Sequence, residues 1–141
     1  MTQEDKELLI KDLCARLPYG VKMNHIADDE INPLILIGIA RSMITLAGNG
    51  GFASVDIEEY KPYLFPLSSM TEEQKGELKN EMSKQIDILI ERVKNDDCGI
   101  DCGKYHFHSL LELEWCIKNH FDYRGLIPKG LAIDATNENI Y

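Results

Sequence analysis

The sequence predicts an α+β fold: a short N-terminal helix, a small twisted antiparallel sheet or partial barrel, and two amphipathic helices packed on it. Two observations predict this class. Over residues 21–67, apolar side chains alternate with polar ones or form short β-branched runs, as in strands. After residue 70 they recur every three or four positions, the period of an amphipathic helix. No repeat or low-complexity linker divides the chain, which favours one domain over residues 1–135.

The N-terminal helix has a predicted beginning and end. Thr2 is a suitable N-cap, since its side-chain oxygen can accept a hydrogen bond from a backbone N–H in the first turn. The apolar stripe of this helix consists of Leu9, Leu13 and Leu17. Residues 18–20, Pro-Tyr-Gly, then end the helix.

The predicted sheet has three to five strands. Residues 34–37 form a β-branched apolar run that Gly38 interrupts as a bulge or bend. Residues 48–51, Gly-Asn-Gly-Gly, predict a hairpin turn, and Phe52 begins a returning strand. Proline has no backbone N–H for a central strand, so Pro62 and Pro66 predict that residues 60–67 lie at a sheet edge or outside the sheet.

The second helix begins at a capping box. Thr71 and Gln74 have the spacing at which each side chain can bond the backbone N–H of the other residue. The apolar face that follows consists of Leu78, Met82, Ile86, Leu89 and Val93. Residues 95–99 are polar and turn-forming, and we expect the helix to end there.

The third helix is predicted from a second capping box, Ser109 with Glu112, and Gly125 and Pro128 are its predicted breakers. The predicted apolar stripe consists of Leu110, Leu113, Ile117 and Phe121. Residues 131–135 predict one more short element. The polar run at 136–139 predicts a flexible tail over residues 136–141.

Composition excludes several classes of function. The 141 residues include 15 Lys and Arg against 24 Asp and Glu, a formal net charge of -9. This balance, without a basic patch, disfavours general binding to nucleic-acid backbones. The longest apolar run, residues 34–40, is too short to span a membrane. The first residues lack the features of a signal peptide, so we expect a cytoplasmic location and reduced cysteines.

One segment has residues that bind metals. Two thiols and two imidazoles within eleven residues could hold zinc tetrahedrally. These residues are Cys98, Cys102, His106 and His108. The Cys-x3-Cys spacing is acceptable, but the His-x-His spacing is unusual for zinc. We therefore favour an irregular helix–helix connection and expect no cofactor, with a structural zinc site as the alternative.

A second segment combines ionisable and aromatic residues. It contains His120, Asp122, Tyr123 and Arg124. These could bind a ligand or act as acid and base, with Arg124 holding a carboxylate or phosphate in its planar fork. No catalytic triad or dyad spacing is visible, so we assign no catalytic residue. The alternative is structural: Arg124 or His120 bonds carbonyls at a helix end while Phe121 and Tyr123 pack.

Two further groups have competing interpretations. Cys116 could be a nucleophile only if a neighbouring base lowered the pKa of its thiol. The aromatic residues Tyr60, Tyr63 and Phe65, beside two prolines, could form a partner-binding surface. The interpretation we prefer is that they line the seam between sheet and helices.

Three blocks of sequence support a resemblance. They are KDLCARLPYGV at 11–21, KPYLFPLSSMTEE at 61–73 and HFDYRGLI at 120–127. With them the chain resembles a family of small bacterial proteins from phage-like and mobile regions of anaerobe genomes. The resemblance implies a small cytoplasmic protein with variable regions at 22–60 and 75–118. It implies no activity, cofactor or catalytic residue.

These observations together favour a non-enzymatic protein-binding or accessory module, related to phages or mobile elements. One alternative is a small enzyme that uses His120, Asp122 and Arg124, with Cys116 nearby. The other alternative is a zinc-stabilised interaction domain. The sequence names no partner and predicts no oligomeric state.

Overall fold

The computed structural model describes residues 1–28, 30–96 and 104–141, without the side chains of 86, 88–96 and 104–109. The helices are α1 (Gln3–Arg16), α2 (Glu72–Asp96) and α3 (Lys104–Lys118). The strands are β1 (Lys22–His25), β2 (Leu34–Ala40), β3 (Met43–Gly48), β4 (Gly51–Asp56), β5 (Tyr60–Leu64) and β6 (Ile133–Asp134). Single 3-10 turns occupy Leu17–Tyr19, Ile57–Glu59 and Leu67–Ser69. The α+β prediction is confirmed.

The strands form one open sheet in the order β4-β3-β2-β1-β5-β6. All neighbouring pairs are antiparallel except β5 and β6, which are parallel. The sheet does not close, so of the two predicted forms the structure has the open one and not the partial barrel. The predicted bulge occurs between Leu36 and Gly38, and the predicted hairpin closes with Gly48 opposite Gly51.

The prediction for residues 60–67 was wrong in one respect, because β5 lies inside the sheet between β1 and β6. Pro62 is opposite Met23 in β1. The Ile26 N–H donates to the Glu59 carbonyl over 2.8 Å. In an antiparallel ladder, hydrogen-bonded pairs alternate with pairs that are not hydrogen-bonded to each other. Since Ile26 and Glu59 form a hydrogen-bonded pair, Met23 and Pro62, three positions along, do not. The nitrogen of Pro62 therefore faces away from β1. The missing N–H of Pro62 therefore removes no bond to β1.

The main core lies between α1 and one face of the sheet. It contains Leu9, Leu13, Val21, Met23, Leu36, Ile44, Leu46, Ile57, Leu64, Leu126, Leu131 and Ala132. The N-cap prediction for α1 is confirmed, because the Thr2 hydroxyl oxygen accepts the Asp5 N–H over 3.1 Å. Leu9 and Leu13 of the predicted stripe are fully buried, while Leu17 is partly buried.

A second cluster joins α2 and α3 at the end of β5. It contains Trp115, Cys116 and Phe121, with Phe65, Met70, Leu78 and Tyr123 packed against them. The capping box of α2 is confirmed: the Thr71 N–H donates to Oε1 of Gln74 over 2.9 Å, and the Gln74 N–H donates to Oγ1 of Thr71 over 3.2 Å.

The predicted bounds of α3 were wrong at both ends. The helix begins at Lys104 and not at Ser109, and it ends at Lys118, before Gly125 and Pro128. Leu110, assigned to its apolar stripe, is 60% exposed, whereas Trp115 and Cys116 are buried. Its end is determined by a turn that has no glycine, which the next subsection describes.

The predicted short element near the C-terminus is confirmed as β6. The single domain and the flexible tail stay predictions, although residues of that tail have packed contacts: Ile140 is buried with Tyr63 and Ala135. Within the ranges that the structure describes, no helix is both long enough and apolar enough to cross a membrane.

Candidate functional site

The predicted site segment begins in the turn that ends α3. The Phe121 N–H donates to the Cys116 carbonyl over 2.8 Å, and the His120 N–H donates to the Ile117 carbonyl over 3.2 Å. This pair of bonds is a Schellman motif, which needs one residue in the left-handed conformation. His120 is that residue, with φ +61°. The rings of Trp115 and Phe121 stack at 5.5 Å and supply the hydrophobic contact that accompanies this motif.

The imidazole of His120 is buried and stacked. Its ring lies 4.0 Å from the ring of Tyr141, with an angle of 11° between their planes. Burial, with the positive charges of Arg16 and Lys22, lowers the pKa of His120 to about 4. Its Nδ1 has no hydrogen-bond partner among the described residues. The ring is therefore neutral at pH 7 and a weak base, which does not suit it to proton transfer near neutral pH.

The carboxylate of Asp122 is occupied by backbone groups. Its Oδ1 accepts the Leu126 N–H and its Oδ2 accepts the Ile127 N–H, each over 2.8 Å. Gly125 makes this loop possible with φ +70°. Because both oxygens are held by the loop that they close, Asp122 has a structural role.

Arg124 and Tyr123 belong to a buried ionic cluster around Asp12. The Nε of Arg16 donates to Oδ2 of Asp12 over 2.6 Å, and both side chains are 0% exposed. The Nε of Arg124 lies 3.3 Å from Oδ1 of the same carboxylate, an ion pair without the alignment of a hydrogen bond. The two guanidinium groups lie over the ring of Tyr123, at 5.5 Å for Arg16 and 4.6 Å for Arg124. One carboxylate thus compensates two cations that an aromatic ring also stabilises.

The same cluster ties α1 to the turn after α3. The Nη2 of Arg16 donates to the Phe121 carbonyl over 2.7 Å, and its Nη1 donates to the Ile117 carbonyl over 3.4 Å. These bonds add a side-chain donor to two carbonyls that also accept backbone N–H groups, from His120 at Ile117 and from Tyr123 at Phe121. The structural interpretation of the segment anticipated carbonyl bonding by Arg124 or His120, but Arg16 fills this role. The sequence signal for it was the i, i+4 spacing of Asp12 and Arg16 beside the apolar stripe of α1.

The side chains of His120, Asp122 and Arg124 are therefore held by three different sets of partners and do not form an open site. Among the main grooves on the described surface, only one includes any of the predicted binding residues, through Tyr123. That groove has a volume of about 340 Å³ and apolar walls. It is lined by Leu67, Met70, Leu78, Glu112, Leu113, Cys116 and Tyr123. Burial raises the pKa of the Cys116 thiol, the opposite of what a nucleophile needs.

The predicted zinc ligands are not placed by the structure. Cys98 and Cys102 lie outside the described residues, as do the side chains of His106 and His108. Among the residues that are described, no group of three or more His, Cys, Asp or Glu side chains could hold a metal ion. The zinc site stays a prediction.

A different surface exposes apolar side chains: the outer face of β2, β3 and β4. Ile35, Ala47 and Phe52 lie opposite one another across the three strands. Phe52 is 77% exposed, and Ile35, Ile37 and Met43 are also exposed. Ile35 and Phe52 share one row with Ala47 between them, and Met43 lies in the row of Ala40 and Asp56. Exposed apolar residues grouped on one surface mark interaction sites more often than isolated ones do. We call Ile35, Ile37, Met43 and Phe52 the sheet patch.

The sheet patch lies in a segment with almost no charge. Residues 31–55 contain one charged side chain, Arg41, although charged residues are 28% of the chain. Residues 51–54 of β4 are all exposed, so the tip of the β3–β4 hairpin has no cover on either face. The sequence showed this signal only as alternating apolar positions in the predicted strands, and alternation alone does not tell which face of a sheet is covered.

The edge of β4 offers unpaired backbone groups. The Ile57 N–H donates to the Ser42 carbonyl over 3.0 Å. The next pair along the ladder, Met43 and Asp56, is therefore not hydrogen-bonded to each other. Hydrogen-bonded and non-hydrogen-bonded pairs alternate from there toward the hairpin turn. The N–H and C=O groups of Phe52 and Ser54 therefore point away from β3, toward an edge that no described strand occupies.

The predicted aromatic surface is not the exposed one. Tyr63 is buried with Ala135 and Ile140, and Phe65 packs between the rings of Phe121 and Tyr141. Phe65 lies where the sheet meets α3 and the turn after it, as the preferred interpretation expected, whereas Tyr63 packs on the C-terminal segment and not on a helix.

Comparison with known proteins adds no relative. No family model matches the chain, and searches of the curated proteins and of the solved structures also gave no match. The functional argument therefore depends on the geometry of this chain.

Proposed function

We propose that this chain is a non-enzymatic protein-binding module that acts in the cytoplasm through the sheet patch. The observation that supports it most is Phe52, a large aromatic side chain 77% exposed on an edge strand whose single charged residue is Asp56. Aromatic side chains contribute much of the binding energy in protein interfaces, while charged residues are depleted at interface cores.

The site chemistry supports a binding module over an enzyme. Asp122 is held by two backbone N–H groups, Arg124 is paired with Asp12, and the neutral ring of His120 stacks on Tyr141. A general acid or base needs access to a substrate as well as a suitable pKa. The resemblance of the three sequence blocks to proteins of phage-like and mobile regions supports an accessory role, and we propose that context for the module.

Site-specific photo-crosslinking in the cells of origin tests this proposal. A photoreactive phenylalanine analogue replaces Phe52 in one variant and Leu110 in a matched control, since Leu110 is another exposed apolar residue on a different element. We expect a discrete protein adduct from position 52 and none from position 110. The adduct should disappear when Ile37 is also changed to Lys.

Two results would contradict the proposal. Absence of any protein adduct at position 52 would show that the sheet patch faces solvent in the cell. Equal adducts at positions 52 and 110 would show that the contacts are not specific to the patch.

A further inference from the structure

We propose that the partner bound at the edge of β4 is a second copy of this chain, paired antiparallel through β4 around a two-fold axis near Ser54. This inference rests on the proposed function and names the partner of the same surface. Its first support is the edge itself, because exposed unpaired strands are templates for pairing with another chain. Natural proteins usually protect such an edge with Lys, Pro or a bulge, and residues 51–55 contain no Lys or Pro.

The backbone pattern of β4 is self-complementary. The outward groups belong to alternate residues, Phe52 and Ser54, and the alternation extends to Asp56. When two copies run antiparallel with Ser54 opposite Ser54 of the second copy, Phe52 falls opposite Asp56. Each outward N–H then meets an outward C=O, so a two-fold arrangement satisfies the whole edge.

The distribution of charge favours contact between two copies at one part of the surface. Each copy has a net charge of -9, so most of its surface repels a second copy. The segment 31–55 is the longest stretch of the chain with so little charge, and its one ionisable residue, Arg41, is a cation. Contact through this face brings few carboxylates together: Asp56, opposite Phe52 of the second copy, is the one carboxylate of β4, and Nζ of Lys6 lies 3.9 Å from its Oδ1.

The side chains beside the edge would become buried in this arrangement. Phe52 projects on the outer face with Ser54, since residues two apart in a strand share a face, and Thr45 shares it as the partner of Ser54. Pairing would place Phe52 of each copy two residues from the axis and extend the sheet patch across both copies. An interface of one strand and its neighbouring side chains is small, so we expect weak association, with a dissociation constant of about 10–100 μM.

Sedimentation velocity under reducing conditions tests the proposal, from about 5 μM to about 500 μM, a range that brackets weak association. Reduction excludes disulfide-linked dimers through the exposed Cys14. The decisive pair of variants is Ser54→Pro and Ser54→Ala. Proline removes the outward N–H without removing a bond to β3, because edge strands tolerate proline at such positions. Alanine retains that N–H.

We expect the wild type and Ser54→Ala to reach twice the monomer mass at high concentration while Ser54→Pro stays a monomer. Circular dichroism checks that Ser54→Pro is folded. If it is not folded, Phe52→Lys decides instead, with Leu110→Lys as its control on another surface: the first should be monomeric and the second should dimerise.

Two results would overturn the proposal. One is a wild type that stays monomeric at every concentration. The proposed function would survive this result if position 52 still crosslinked to a different protein. The other is a dimer that persists in Ser54→Pro when that variant is folded. If Ser54→Pro is not folded, a dimer that persists in Phe52→Lys has the same meaning. Such a dimer would form through another surface.

Discussion

The side chain of His120 shows how one residue's environment determines its chemistry. In the sequence it looked like acid–base machinery beside Asp122 and Arg124. In the structure it occupies the left-handed position of a helix C-cap and stacks on Tyr141. Histidine is more tolerant of the left-handed region than most residues other than glycine, which allows it to serve there.

We expect His120 to make stability depend on pH. The pKa of its folded form is about 4, below the ordinary value of 6.5. Between these two values the unfolded chain binds a proton that the folded chain does not, so stability falls as pH falls from 6.5 to 4. Urea unfolding at pH 7.5 and pH 4.5 should show the wild type losing about 2 kcal/mol more than His120→Phe. Equal losses in the two proteins would mean that His120 titrates alike in the folded and unfolded states.

Arg16 is the residue on which the ionic cluster depends. Arg16→Met leaves the buried Asp12 with Arg124 alone and removes the donor to the Phe121 carbonyl. We expect a loss of about 3–5 kcal/mol in the free energy of unfolding, as when one partner of a buried pair is removed. Chemical denaturation measures it.

A matched control comes from the same helix. Lys6 forms a pair with Glu58 at 2.7 Å, in which the Glu58 side chain is 46% exposed. Lys6→Met should cost less than about 1 kcal/mol, because surface pairs contribute little.

The double variant Asp12→Leu with Arg16→Met should recover part of the loss of Arg16→Met alone. Full additivity of the two single losses would show that the pair is not coupled.

At the scale of elements, caps and turns with standard residues were predictable, and those with unusual residues were not. Thr2, the Thr71–Gln74 box and the turn at 48–51 were found because their hydrogen bonds are local in sequence. The end of α3 was missed because His120 stands where glycine usually does.

The corrected bounds of α3 predict which residues of the helix and of the turn after it stabilise the protein. Phe121 is 1% exposed and stacks on Trp115, whereas Leu110 is exposed. Phe121→Ala should lower the free energy of unfolding by about 3–5 kcal/mol through lost burial and a cavity. Leu110→Ala should change it by less than about 0.5 kcal/mol. Denaturant titration of both variants measures the two losses. A larger loss for Leu110→Ala than for Phe121→Ala would contradict the assignment of Phe121 to the core and of Leu110 to the surface.

For the molecule as a whole, the sequence predicted the fold class and three to five strands over residues 21–67, where the structure has β1 to β5, but not their arrangement. The order of the sheet depends on contacts between distant residues, such as β6 beside β5. The buried charges of Asp12 and Arg16 likewise depend on a partner loop about a hundred residues away. For the candidate site, the sequence indicated which residues of the 120–124 segment carry polar groups, but not that Tyr141, the 126–127 backbone and Asp12 would occupy them.

We expect the whole protein to keep its stability without metal. The Cys98–His108 segment has unusual ligand spacing for zinc, which is why a connection between helices was favoured. Adding a chelator should shift the melting temperature by less than about 1 °C, which corresponds to a fraction of a kcal/mol. The zinc-stabilised alternative would be established if the chelator lowered the melting temperature of the wild type and of the control Cys14→Ser, but not that of Cys98→Ser or His106→Ala.

The bond from Arg16 to the Phe121 carbonyl joins residues 105 positions apart, and the bond from the Lys22 N–H to the Tyr141 hydroxyl joins residues 119 apart. Closing such long loops is entropically unfavourable until most of the chain has collapsed. We therefore expect these contacts to be absent from the folding transition state. Substitutions that remove them should leave the refolding rate nearly unchanged and accelerate unfolding, so that the contacts between α1 and the C-terminal turns determine how long each folded molecule lasts.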